Sequence, residues 1–348
     1  MKTKCIITFL SMLFLIAVFS ATSLAQATIT IDTVPVGDPG NTADTEVMLD
    51  GTTGYGSVGY NYRMGKSEVT AGQYTEFLNA VAATDTYGVY HPGMWLSDFA
   101  CKIQQSGSSG SYTYSMASDW ADRPVNYVSF WNTLRFANWM HNGQPTGLQN
   151  ALTTEDGAYT INGYTGDDGR TIQRNPGAKW FLPSENEWYK AAYYQSGSTN
   201  AGYWDYPTKS DSTPSNDLTT PDGGNNANFY QNGSTIGAPY YRTEVGEFEN
   251  SESPYGTFDQ GGNVWEWNEA ITYTSSTAAT RGVRGGSFNL GTFLHGDLRA
   301  SDRDSYVLPN YGVMDIGFRV AEAVPEPSSV LILGSGILGL AGLIRRKR

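Results

Sequence analysis

The chain has little sulfur chemistry to draw on. Cysteine occurs twice in 348 residues, at Cys5 and Cys101, and Cys5 lies in a segment that reads as a removable leader. The mature protein would then carry one thiol and no internal disulfide, so stability must come from a packed core and from any bound metal. Cys101 itself reads as a small buried hydrophobe, with reactivity the minority alternative. Histidine is almost as scarce. His91, His141 and His295 are the only three, and no two stand at H-x-x-x-H spacing. Basic residues are few as well: 22 Lys and Arg against 34 Asp and Glu, a formal charge of −12. The acidic excess grows once the basic residues of the two ends are set aside. Such a surface excludes nucleic acid and anionic lipid as natural partners and keeps an exported protein soluble. Charged residues make up 16% of the chain, but aromatics reach 13%, so the low charge does not signal disorder.

Long apolar runs are confined to the ends. Lys2 and Lys4 precede an apolar stretch from Ile6 to Phe19, and Ser23-Leu24-Ala25 supplies small residues for cleavage before Gln26, the pattern of an export signal over 1–25. At the other end, Val324-Pro-Glu-Pro327 leads into an apolar, Gly-rich segment, Val330 to Ile344, and then Arg345-Arg-Lys-Arg348. That segment is barely long enough to span a bilayer, with the basic cluster on the cytoplasmic side. Between the ends, 26–323 has no clear linker and no internal repeat, so one loop-rich domain is expected.

What is present centres on Phe258-Asp-Gln-Gly-Gly-Asn-Val-Trp-Glu-Trp267. Gly261 and Gly262 permit a tight loop, and the alternation after it predicts a strand with Trp265 and Trp267 on one face and Glu266 on the other. Asp259, Asn263 and Glu266 crowd three oxygen-bearing side chains together. Either they hold a hard cation such as calcium, or they only cap backbone N–H groups.

Helices are marked by their caps. Thr70-Ala-Gly-Gln73 is a capping box followed by a Tyr74, Phe77, Leu78, Val81 stripe, and Ser184 with Glu187 is another, ahead of Trp188, Ala191 and Ala192. Gly197 is expected to end that last helix. Ser129 caps a helix over Phe130–Met140, with Phe130, Leu134 and Ala137 facing the core. Residues 26–61 read as an edge of the fold, with a β-leaning piece at Ala27–Ile31. Residues 141–178 read as an insertion, in which Asp167-Asp168 is turn chemistry rather than a metal motif.

G-N-V-W-E-W, then Arg281-Gly-Val-Arg-Gly-Gly-Ser-Phe288 and Gly317-Phe-Arg-Val-Ala321, together resemble the formylglycine-generating (sulfatase-modifying factor) family. The resemblance begins at Tyr62-Arg-Met-Gly-Lys-Ser-Glu-Val-Thr70 and includes Leu182-Pro-Ser-Glu-Asn-Glu187. It implies an α+β fold of the C-type-lectin-like kind, loop-rich with few short helices and strands, and bound calcium. The implied ligands are Asp259 and Glu266 with the carbonyls of Gly262 and Val264, and a second calcium loop would lie at Asn228 and Phe229. The P-E-P triplet, short apolar segment and Arg-rich end resemble the PEP-CTERM sorting signal of Gram-negative bacteria. That signal implies an exosortase-type protease, removal of 324–348, only transient membrane contact and release to the cell surface or matrix.

The catalytic members of that family carry two cysteines that bind copper(I) and oxidise a substrate cysteine. Here those positions fall on Leu290 and His295, neither of which supplies a thiolate, so copper is not expected and no catalytic residue is assigned. His295 with Asp297 lacks the partners of a hydrolytic dyad. Arg299 and Arg303 either bind an anion or form structural ion pairs, the latter favoured. The expectation is a noncatalytic exported binding module. Its ligand cleft would be lined by Phe288, Phe293, His295, Asp297, Arg299, Arg303 and Tyr306, suited to a saccharide or an extended peptide. The alternatives are an oxidase with altered ligands and a structural matrix protein.

Overall fold

A computed structural model describes residues 28–289 and 298–325, with only the backbone of 304–306. The leader, the apolar tail, Leu290, Phe293, His295 and Asp297 lie outside these residues, as does the Tyr306 side chain. Local side-chain chemistry starts the helices where the caps predict. Thr70 Oγ1 accepts the Gln73 N–H at 3.2 Å and Gln73 Oε1 accepts the Thr70 N–H at 2.9 Å, opening α1 (Ala71–Val81). A short α2 follows (Gly93–Leu96). Ser129 Oγ accepts from Asn132 and opens α3 (Phe130–His141). Ser184 and Glu187 cap each other reciprocally at α4 (Glu185–Tyr193). Each box satisfies two N–H groups that a helix start would otherwise leave bare.

Two four-stranded sheets hold these helices. The first has order β1-β2-β12-β5, with β1 Thr33–Val36, β2 Tyr62–Gly65, β5 Trp180–Phe181 and β12 Ala321–Ala323. Its antiparallel β2–β12 pairing joins the two ends of the domain. The second has order β10-β9-β8-β11, with β8 Trp265–Thr274, β9 Ala279–Arg284, β10 Asp304–Val307 and β11 Ile316–Gly317. Hairpins β3 (Gln104–Ser106) with β4 (Thr113–Ser115), and β6 (Tyr194–Gln195) with β7 (Gly202–Tyr203), complete the regular structure. Apart from 3-10 turns at Ser118–Trp120 and Ser198–Asn200, the rest of the described residues is loop, so the class is α+β. Among the described residues no helix is long and apolar enough to cross a membrane.

The core is aromatic. Phe136 of α3 stands edge-on to Phe77 of α1 at 5.4 Å and to Phe318 at 5.2 Å, a geometry that suits ring quadrupoles.

Three expectations shift. Among the described residues the first strand forms at 33–36, and 28–31 carry none. Helix α4 stops at Tyr193, because Tyr194 turns extended to enter β6; Gly197 instead sits four residues further on at φ 144°. The largest change concerns α3, which is buried on every side from Phe130 to Met140. The stretch 141–178 covers its far face and is integral to the core. Arg135 forms a bidentate pair with Glu155 at 2.8 and 3.0 Å, and Asn138 Nδ2 donates to the Thr154 and Tyr159 carbonyls. Asp168 does take the turn role, accepting from Arg170 N and Nε.

At α4, burial alone would raise the Glu187 carboxyl, but Arg174 at 2.6 and 2.9 Å, Tyr60 and Ser184 N–H together hold it below its ordinary 4.5. A carboxyl lowered on folding contributes stability that is present above its unfolded pKa and lost as pH falls through its folded value. Melting midpoints are therefore expected to drop as pH is lowered from about 5, and Glu187→Gln to flatten that drop. A pH series of thermal melts in which wild type and variant fall in parallel would remove Glu187 from the account.

Candidate functional site

The loop before β8 is built from three positive-φ residues, Asp259 (58°), Gly262 (93°) and Asn263 (55°). Gly262 is required there. A Cβ at that position would lie 2.4 Å from the Asn228 carbonyl oxygen. The close approach lets Asn228 O accept the Asn263 N–H at 2.8 Å, while Gly262 N–H reaches Gly285 O at 2.8 Å. Asn263 then acts as a spacer inside the protein. Its Oδ1 accepts from Asn228 Nδ2, Thr243 N and Thr243 Oγ1 at 2.8–3.1 Å.

Beyond the loop the strand alternation is partly overridden. Trp267 is fully buried and donates to Val128 O at 3.0 Å, whereas Trp265 is only half-buried. Glu266 points inward and is as buried as Trp267. Its Oε1 accepts from Arg319 Nη2 at 2.6 Å, and its Oε2 accepts from Arg319 Nε at 2.6 Å and Trp188 Nε1 at 2.7 Å. The remaining donors of Arg319 go to the carbonyls of Gly65, Lys66 and Phe258. One bidentate pair thus pins both sheets and α4 together.

Glu266 is neutralised by a guanidinium that a dication would face and be repelled by. Of the implied calcium set Asp259, Gly262, Val264 and Glu266, the Glu266 carboxylate is thus already shared with Arg319. Val264 is itself fully buried beside Gly317. In the second set, the Phe229 carbonyl already accepts from Asn216 Nδ2 and Thr235 Oγ1, each at 3.2 Å. Only Asn228 Oδ1 is left without a partner. Among the described residues no three His, Cys, Asp or Glu side chains gather at one point.

Of the predicted cleft residues, Phe288, Arg299 and Arg303 have described side chains. Phe288 is buried, with Phe99 and Tyr241 rings at 5.9 and 6.0 Å and the Arg242 guanidinium 5.5 Å from its centroid. Arg299 turns away to Asp205 at 2.7 Å. Arg303 clamps Glu185 at 2.7 and 2.8 Å and Asp50 at 2.8 Å, beside Arg284 on the same Glu185. Both arginines make structural ion pairs. The aromatic wall that remains also holds Arg242, which donates to the Phe99 and Ala100 carbonyls and is pushed down to about 10 by burial. Next to it Cys101 is wholly buried, its Sγ 3.9 Å from Met94 O, and burial raises its thiol above the ordinary 9.0.

The model of the sulfatase-modifying factor enzyme 1-like domain matches residues 40–324. The chain belongs to this family. Its α+β, loop-rich, formylglycine-generating-type fold is the one expected, although β1 lies ahead of the matched span. A PEP-CTERM protein-sorting motif matches 323–348 and implies export, surface sorting in bacteria and processing by an exosortase-type system. Solved structures similar to this family member include CarF (TM-score 0.49, 20% identity, 85% of this chain and 99% of that one). Treponema denticola variable protein 1 (0.45, 16%, 83% and 100%) and PvdO from Pseudomonas aeruginosa (0.44, 16%, 83% and 100%) are similar as well. No curated protein matches the sequence.

Sequence reasoning missed Glu68, which follows β2 and is 2% exposed. Neither of its carboxylate oxygens has a hydrogen-bond partner. Burial, then the Asp259 and Glu266 charges, raise it well above the ordinary 4.5, and burial lifts Asp259 to about 6. The available signal was its place in Lys-Ser-Glu-Val-Thr70, a lone acid between a strand and a capping box.

Proposed function

We propose that this protein is an exported, noncatalytic member of the formylglycine-generating family. On this reading it works at the cell surface or in the extracellular matrix of a Gram-negative-type bacterium as a binding module for a saccharide or an extended peptide. Its leader and sorting tail are removed, and it meets the membrane only in transit.

The observation that supports the noncatalytic part is the state of its sulfur. Cys101 is the one thiol among the described residues, it is shut away from solvent, and burial holds it protonated. Capture of copper(I) and of a substrate thiol needs accessible thiolates. Rigid helices and sheets carrying long loops are the common platform for recognition, which supports the binding part.

The test is incubation with copper, reductant, oxygen and a cysteine-containing sulfatase-type peptide, read by mass spectrometry. No aldehyde above the metal-free control is expected. Copper-dependent aldehyde would return the protein to the oxidases.

A further inference from the structure

Glu68 is a buried carboxylate with nothing to hold. It follows β2 at 2% exposure, and neither of its oxygens has a hydrogen-bond partner. Arg319 gives its donors to Glu266 and to the Gly65, Lys66 and Phe258 carbonyls, and none to Glu68. Lys66 turns away as well, its Nζ 5.2 Å from the Phe258 ring centroid. A buried carboxylate without donors is costly unless a cation or a proton neutralises it.

Glu68 lines an open groove of about 980 Å³. Asp32, Glu76, Asp122 and Glu249 stand exposed on its walls, and Lys66 is the one basic residue of its described lining. Ile29, Ile31 and Val245 add apolar surface. The walls are tied together in advance: Lys66 N–H on Asp32 O at 2.8 Å, Phe258 N–H on Lys66 O at 2.7 Å, Gly72 N–H on Ala121 O at 2.9 Å and Val245 N–H on Asp122 O at 2.8 Å. A groove so held needs little ordering to bind, and its carboxylates draw in cations. Phe288, Arg299 and Arg303 are not on its walls, so it is distinct from the ligand cleft expected around them.

We propose that this groove binds an extended, lysine-bearing segment of a partner protein, with one lysine ammonium seated on Glu68. The proposal rests on the reading of this protein as a binding module and narrows the ligand to a basic peptide. An ammonium is a compact charge with three donors on a slender stem, which suits a carboxylate recessed in a wall better than the broad, planar fork of a guanidinium. The stem lies along apolar lining while the charge reaches the carboxylate. The wall carboxylates repel acidic segments and so add selectivity.

Protein isolated as the cell produces it is titrated calorimetrically with end-blocked hexalysine and with the same peptide acetylated on every side chain. One charged peptide per chain should bind, and the acetylated one should not. Glu68→Gln keeps the shape and removes the charge. It should melt no lower than wild type and bind hexalysine at least ~30-fold more weakly, the effect of losing one partner of a buried charge pair. Glu249→Gln, on the exposed wall, should weaken binding only about two- to fivefold. No hexalysine binding, or equal binding of the two peptides, would overturn the proposal. Binding left unchanged by Glu68→Gln would mark a diffuse attraction to an acidic protein and overturn it too. If Glu68→Gln does not fold, Asp122→Asn combined with Glu249→Gln decides: binding about fivefold weaker or more supports the groove, and unchanged binding overturns it. A parallel array of neutral glycans and mixed-sequence peptides keeps the parent reading separate. Ligands found there without hexalysine binding would sink the groove alone, and none found in either assay would sink the binding-module reading with it.

Discussion

Arg319→Leu is expected to destabilise the protein by about 3–5 kcal/mol, the cost of stranding one member of a buried ion pair. The variant leaves Glu266 charged and fully buried, with Trp188 Nε1 as its one remaining donor. It also frees the Gly65 and Phe258 carbonyls that Arg319 satisfied at 3.0 and 2.8 Å. Those carbonyls lie on segments of β2 and of the loop before β8, so the loss should loosen both sheets at once. Urea denaturation measures the effect. Adding Glu266→Gln to Arg319→Leu removes the orphaned charge and should recover part of the loss. A single-variant cost under about 1 kcal/mol would mean that water or another cation reaches Glu266, contrary to its burial.

The second large effect is expected from Gly262→Ala. A methyl there meets Asn228 O at 2.4 Å and Asn228 C at 2.9 Å. Both are backbone atoms held by the Asn263 N–H bond, so they cannot swing aside as a side chain would. The residue also sits at φ 93°, where an L side chain adds strain of its own. Overpacking and strain together should cost on the order of 3 kcal/mol. Gly143→Ala is the control: its φ of 84° is similar, but a Cβ there meets nothing within 4 Å. Its cost should be about 1 kcal/mol, strain alone. Equal midpoints for the two variants in chemical denaturation would show that the close approach to Asn228 yields easily.

Several sites were written locally and could be read that way. Thr70 with Gln73, and Ser184 with Glu187, engage a partner three residues away, so spacing contains the whole interaction. The order of G-N-V-W-E-W, R-G-V-R-G-G-S-F and G-F-R-V was enough to indicate the family. The absence of a cysteine pair was enough to put the oxidase chemistry in doubt. Residues 141–178 show where this stops. Their Gly, Asn, Asp and Thr content looks like solvent-facing insertion, yet Glu155 is buried because Arg135 is buried opposite it.

The carboxylates mark the boundary most sharply. Sequence alone determined that Asp259, Glu266 and Glu68 exist and that the first two flank a glycine turn. Which of them finds a cationic partner was decided in three dimensions. Arg319 lies 53 residues beyond Glu266, and nothing in either local context selects that pairing over Arg281, Arg284 or Arg303. Likewise Glu185 draws Arg284 and Arg303 from 99 and 118 positions away. The physical reason is that a cap is a short-range contact whose geometry the backbone supplies. A buried ion pair instead takes its strength from desolvation and from its remaining neighbours, and these exist only once distant segments have packed.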